Sequence, residues 1–151
     1  MPDTAINLKF ADADEYRFWL PMSRVEEVER LCGNKSILEM HDEMGQALGM
    51  MPGSDEVRFI GGGAARIRDV YEVIRCAAIG GGECRRGEKV EKVSPLDAKA
   101  LVDNYVDGRP LAETIPVAWA ILNAAIRGVS LKKKVEQPEA ETGDLSPSEK
   151  A

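Results

Sequence analysis

The chain has 151 residues, with 20 Lys and Arg against 26 Asp and Glu, and a formal net charge of −6. This length suits one domain with a single core, and the acidic balance argues against a protein whose main task is to neutralise nucleic-acid phosphates. Only 5% of the residues are aromatic, so the core must be largely aliphatic, which favours packed helices.

The first predicted element is a β-hairpin. Apolar residues alternate with polar ones on both sides of the short acidic turn 12–14, and this period of two is typical of half-buried strands. The alternating residues are Ile6, Leu8, Phe10, Tyr16, Phe18 and Leu20. Because an isolated hairpin is marginal in water, we expect its apolar face to pack on helices.

Two short helices are predicted next, and each begins at a serine. The stretches 23–26 and 36–39 both have the Ser-x-x-Glu spacing of a capping box, in which two backbone amides at the helix start are satisfied. Apolar residues then recur at helical spacing. This spacing predicts a first helix that stops at Gly33 and a second that stops at Gly49.

A glycine triplet lies at each end of the next predicted helix, which covers 67–78. The first triplet, 61–63, follows a possible strand at 57–60, a position where backbone amides can bind an anion. A dinucleotide fingerprint would need glycine where Arg66 stands, and the G-K-[ST] of a P-loop is absent. We therefore expect the triplets 61–63 and 80–82 to act as turns and helix terminators rather than phosphate sites.

Residues 81–93 are glycine-broken and charged and have no apolar period, which predicts a loop or mobile connector. Order resumes with a helix that begins at Ser94, has Pro95 in its first position and stops at Gly108. The acid Asp97 in its first turn is favoured by the helix dipole.

A last helix is predicted over 110–128, and Pro116 inside it predicts a kink or a late start because proline lacks an amide donor. Trp119 lies on the main apolar stripe, whereas Val117 and Ile121 lie off it, so both sides of this helix are apolar. Such a helix is either central to the fold or faces a partner. Val117, Ile121 and Trp119 are the candidate partner-binding residues.

Together these elements predict a mainly helical α+β domain over 1–131, in which an N-terminal β-hairpin packs on about five helices. The stretch 132–151 has charges, proline and serine but no aromatic residue. It cannot bury enough apolar area to offset the entropy of ordering, and we predict a disordered polar tail there.

The sequence offers no pattern typical of an active site. His41 is the only histidine, and Cys32, Cys76 and Cys84 show no C-x-x-C spacing, so we expect no catalytic residue, no metal site and no cofactor. Three cysteines without a secretory signal indicate reduced thiols. The apolar run 117–122 is far shorter than the roughly 18 residues of a membrane span, so we expect a soluble, cytoplasmic protein.

Two stretches, ARIRDVYEVIRCAAIGGG and SPLDAKALVDNYVDGRPLAETIPVAWAILNAAIRG, resemble in their order and spacing the gene-transfer-agent family of phage-type tail proteins. With the upstream FWLPMSRVEEVERLCGNKSILEM, the resemblance covers roughly 6–128. It implies a tail assembly chaperone in a bacterial host cell. Such a protein binds the long helical tape measure protein and keeps it soluble until the tail tube polymerises, without catalytic residues.

Two other functions stay open at this point. The same family is also described as a tail tube component, so the chain could be a structural tail tube or tail-completion subunit. A small helical regulator that binds nucleic acid is the third possibility, although the net charge of −6 speaks against it. Self-association is open as well.

Overall fold

The computed structural model of the protein describes residues 2–50, 52–53 and 56–129, and the predicted tail at 132–151 lies outside them. The described chain folds into an α+β domain of five helices and six strands. In chain order the elements are β1 (Ala5–Phe10), β2 (Ala13–Trp19), α1 (Met22–Leu31), α2 (Ile37–Gly45), β3 (Leu48–Met50), β4 (Val57–Phe59), α3 (Ile67–Gly81), β5 (Glu83–Arg86), β6 (Lys89–Lys92), α4 (Pro95–Tyr105) and α5 (Leu111–Arg127).

The predicted N-terminal hairpin is confirmed, and it belongs to a larger sheet. Strands β1 and β2 form the first half of a four-stranded antiparallel sheet in the order β1-β2-β5-β6. The rings of Phe10, Tyr16 and Phe18 are buried on one face, where Tyr16 stacks on Phe18 with centroids 5.8 Å apart and Phe10 meets both edge-on. The helices cover this face, so the aromatic residues and the aliphatic helix stripes share one core.

The prediction of a loop or connector at 81–93 is wrong, because most of this segment forms the hairpin β5–β6. Its pairing with β2 buries Cys84 opposite Tyr16. Polar contacts hold the hairpin at the β1–β2 turn, where Arg86 donates to Asp12 at 3.0 Å and the amide of Gly87 donates to Asp14 at 2.7 Å. The strand pattern is hidden in the sequence because most of these side chains are charged and face solvent.

Helix α3 is the central helix of the domain, since it packs against α1, α4, α5 and β2. Its last turn lies so close to β2 that a Cβ added at Gly80 or Gly81 would overlap the carbonyl oxygen of Trp19 or Arg17. Gly82 then ends the helix in the left-handed conformation, with φ of +74°. The predicted terminator role therefore holds for Gly82, whereas Gly80 and Gly81 allow a close helix–strand contact.

Two of the predicted helix boundaries need correction. Helix α1 begins after Pro21, and no side chain caps it, so the predicted capping box at 23–26 does not form. Helix α2 ends at Gly45 rather than Gly49, because Leu48 pairs with Phe59 in the small sheet β3–β4.

The other helix starts follow the sequence closely. Ser36 caps α2 by accepting a hydrogen bond from the Leu38 amide at 3.0 Å, although the return bond from Glu39 that would complete the predicted capping box is not formed. Ser94 forms a complete capping box with Asp97. Helix α5 continues through Pro116, so the predicted late start is wrong.

After α5, the amide of Val129 donates to the carbonyl oxygen of Asp3 at 2.6 Å, which places the two ends of the described fold side by side.

Candidate protein-interaction surface

The three candidate partner-binding residues on α5 lie in different surroundings. Ile121 is a core residue with 1% of its surface exposed, whereas Val117 and Trp119 are half-buried against the core. Of the two alternatives for this helix, a central position in the fold holds at Ile121. The reason is that α5 packs against α2, α3, β1, β2 and β4, so elements of its own fold cover most of its circumference.

Trp119 fills the contact between α5 and α2. Its ring stacks on His41 with centroids 5.2 Å apart, and its Nε1 would lie 3.3 Å from a Cβ added at Gly45. The Nε2 atom of His41 is 3.0 Å from Oδ1 of Asn123. The only histidine of the chain thus contributes to the packing of α2 on α5, with its ring stacked on Trp119 and its Nε2 atom next to Asn123.

A small two-stranded sheet with exposed apolar residues, the arm, lies beside this contact. We define the arm as strands β3 and β4 with the next residue, Ile60; it forms its own two-stranded sheet, separate from the main one. Strand β4 packs beside α5. Ala47 anchors the arm, because its carbonyl oxygen accepts from the amides of Ile60 and Gly61 at 2.8 and 3.2 Å. The glycines 61–63 then lead away in a connection whose φ angles are all positive.

The arm exposes three large apolar side chains. Met50 is 65% exposed, Ile60 is 68% exposed and Phe59 is 38% exposed. Six other large apolar residues are exposed among the described residues, and each lies alone on a different helix or strand: Met22, Leu38, Ile67, Val90, Leu96 and Leu111. Met50 and Phe59 share one face of the two-stranded sheet, and Ile60 lies against Gly49 on the other. Single exposed apolar residues are ordinary, whereas several on one small element are typical of an interaction site.

The two buried carboxylates, Asp69 and Glu72, are engaged in the packing of α1, α2 and α3. The ammonium of Lys35 donates to Glu43 and to Asp69, at 2.7 Å each, and only 2% of the Asp69 side chain is exposed. A second cluster joins Arg75 to Glu72 at 2.7 Å and to Glu27 at 3.9 Å. These carboxylates are already paired with cations, so they are poorly placed to act as an acid or base pair.

The thiols are shielded in the same region. Burial, reinforced by the nearby Asp69 carboxylate, raises the pKa of the Cys32 thiol to about 12. Burial also raises the pKa of the Cys76 thiol to about 12, although the cation of Arg75 opposes this. Both therefore stay protonated at neutral pH and are weak nucleophiles. Within the described ranges, no cluster of three His, Cys, Asp or Glu side chains could hold a metal ion.

No protein-family profile, curated protein or solved structure matches this chain. Among the described helices, none is long and apolar enough to cross a membrane.

The sequence identified α5 as an unusual helix and predicted the second strand of the arm at 57–60, but it did not predict the first strand. Met50, Phe59 and Ile60 were visible as apolar residues around the Pro52-Gly53 turn, which is a signal for an exposed hairpin. Because the preceding helical spacing could be extended through Leu48, the first strand of the arm was assigned to α2 instead.

Proposed function

We propose that this protein is a non-catalytic tail assembly chaperone of a tailed phage or gene transfer agent, which binds the tape measure protein in the cytoplasm of the bacterial host. The observation that carries the proposal is the arm, with its three exposed apolar side chains. The resemblance over 6–128 supplies the identity of the partner. A tape measure protein presents apolar helical stripes, and an exposed apolar arm can cover such a stripe reversibly.

The size of the arm suits reversible binding. Burying one large apolar side chain in an interface contributes about 1.5–3 kcal/mol. Two or three such anchors contribute about 3–9 kcal/mol, and the cost of association offsets most of this, so the arm alone gives weak, reversible binding rather than permanent assembly. A chaperone must release its partner when the tail tube forms, so reversible binding is what this function requires.

The test is co-expression with the tape measure protein from the same tail gene cluster. The arm variant Met50→Ser/Ile60→Ser removes two exposed anchors, and the matched control Val90→Ser/Leu96→Ser removes two equally exposed side chains from separate elements. We expect the wild type and the control to keep the tape measure protein soluble. The arm variant should lower its capture by at least about ten-fold, because two interface anchors are lost.

Circular dichroism should show that both variants fold, since all four side chains are exposed. If the wild type neither captures nor solubilises the tape measure protein, the proposed function is wrong. Mass spectrometry of purified particles tests the structural alternative, because a chaperone should be missing from the finished tail and a tube or completion subunit should be present.

A further inference from the structure

A groove of about 280 Å³ lies on the side of α5 away from the main core contacts and is lined by Val117. Phe10 and Ala11 at the β1–β2 turn and Tyr105 at the end of α4 complete its apolar walls. The rings of Phe10 and Tyr105 meet edge-on with centroids 6.5 Å apart, so the two side chains form one wall of the groove. The volume is at the lower end of ligand pockets, so it suits one apolar side chain rather than a whole cofactor.

The rim of the groove is cationic in a molecule whose net charge is −6. Lys9 lies on the rim and has no ion-pair partner within the described part of the chain. Arg109, just before α5, contacts Glu113 at 3.3 Å, and both side chains are about half exposed. Because a guanidinium has five donors, Arg109 can bind a second carboxylate while it keeps Glu113. The positive end of the α5 dipole adds to this field.

An unsatisfied hydroxyl lies in the same wall. Thr114 lines the groove with 1% of its surface exposed, and its Oγ1 has no hydrogen-bond partner within the described part of the chain. A buried hydroxyl without a partner is unfavourable, so it makes this wall of the groove a locally destabilised part of α5.

We propose that this groove binds a segment of a partner protein in which an acidic side chain lies next to a large apolar one. The apolar side chain packs against Phe10, Tyr105 and Val117, and the carboxylate lies between Lys9 and Arg109. The positive rim favours the acidic residue of the partner segment, and the apolar walls favour its large apolar side chain. If the proposed function holds, the segment belongs to the tape measure protein; the groove itself is tested without that protein.

The probe is an end-blocked, alanine-based peptide that carries one Leu-Glu pair. Two control peptides replace the pair with Leu-Gln and with Ala-Glu, so they remove the charge or the apolar side chain alone. In ¹⁵N–¹H spectra, the Leu-Glu peptide should shift the amides of 9–11 and 109–117. Each control peptide should bind at least about five-fold more weakly, as expected for the loss of one charge-assisted contact or one buried side chain.

Variants then assign the contacts. Lys9→Gln/Arg109→Gln should reduce binding of the Leu-Glu peptide to the level of the Leu-Gln peptide, whereas the control Arg58→Gln/Lys89→Gln, on exposed cations elsewhere, should not. Thr114→Val should raise the melting temperature by about 2–4 °C, because it removes an unsatisfied buried hydroxyl.

Equal binding of the three peptides, shifts outside the groove, or unchanged binding by the Lys9/Arg109 variant would each overturn the proposal. None of these outcomes bears on the arm, since the arm variants leave the groove intact. Conversely, failure of the tape measure experiment leaves the peptide result standing.

Discussion

Lys35 joins the start of α2 to α3 through a single ammonium group shared by two carboxylates. Replacing it with methionine would leave Asp69, which is 2% exposed, buried without its cation. We expect Lys35→Met to lower the free energy of unfolding by about 3 kcal/mol, as is typical when one partner of a buried pair is removed. The control Lys99→Met breaks an exposed pair with Asp103 and should cost less than about 0.5 kcal/mol. Urea unfolding at pH 7 measures both.

The same cluster predicts a dependence on alkaline pH. Burial lowers the pKa of the Lys35 ammonium, but the hydrogen bonds to Asp69 and Glu43 outweigh this, so its pKa is raised above its ordinary value. The stabilisation is therefore complete below the unfolded pKa of about 10.4 and is lost as the pH rises through the folded pKa. The difference in unfolding free energy between wild type and Lys35→Met should therefore stay constant up to about pH 10 and shrink above it, which urea unfolding at increasing pH would measure.

Cys32 and Cys76 should resist alkylation in the native protein. Their thiol pKa values of about 12 leave almost no thiolate at pH 8, and both side chains are buried. Mass spectrometry after treatment with iodoacetamide should find them unmodified in buffer and fully modified in urea. Rapid modification in buffer would mean that α1 and α3 open readily.

At the scale of elements, the contact between α3 and β2 depends on Gly81. A Cβ at Gly81 would overlap the Arg17 carbonyl oxygen, which cannot move without breaking the sheet, whereas a Cβ at Gly82 would meet only the Ile79 oxygen at 3.7 Å. We expect Gly81→Ala to cost more than about 3 kcal/mol and Gly82→Ala to cost about 1 kcal/mol, the strain of a left-handed alanine. Thermal unfolding of the two variants measures the difference; equal losses would contradict the close contact.

The elements that the sequence predicted are those whose own apolar period is strong. The β1–β2 hairpin, α3, α4 and α5 each carry a regular stripe, and Ser94 with Asp97 fixes a helix start that the structure contains. The hairpin β5–β6 was missed because its stability comes from pairing with β2 and from contacts such as Arg86 to Asp12, which are distant in sequence. Periodicity contains no information about such partners.

Less of the candidate interaction surface than of the fold could be predicted from the sequence, because the surface also depends on contacts between residues that are distant in sequence. The sequence showed that α5 is apolar on two sides, but it did not show which element covers each side. Ile121 is covered by the fold, whereas Val117 lines the groove and Trp119 stacks on His41. The arm could be predicted only with the knowledge that Leu48 pairs with Phe59.

For the whole molecule, the two proposed surfaces should respond differently to salt. Raising NaCl from about 0.15 M to 1 M shortens the Debye length from about 8 Å to about 3 Å, which weakens contacts between exposed charges but not apolar burial. The Leu-Glu peptide should therefore bind several-fold more weakly at 1 M. Capture of the tape measure protein through the arm should persist, and capture that falls in parallel with peptide binding would show that charge dominates both.

The hydrogen bond from Val129 to Asp3 has a practical consequence for experiments on assembly. Since the backbone enters and leaves the described fold at one point beside β1, a short linker could join these positions, and the chain could be reopened at the exposed loop around Gly108. In such a circular permutant the new chain ends, and any reporter group attached to them, would lie at the N-terminal end of α5 instead of beside its C-terminal end. A fluorophore could then be attached beside the groove without adding a bulky label to the native ends.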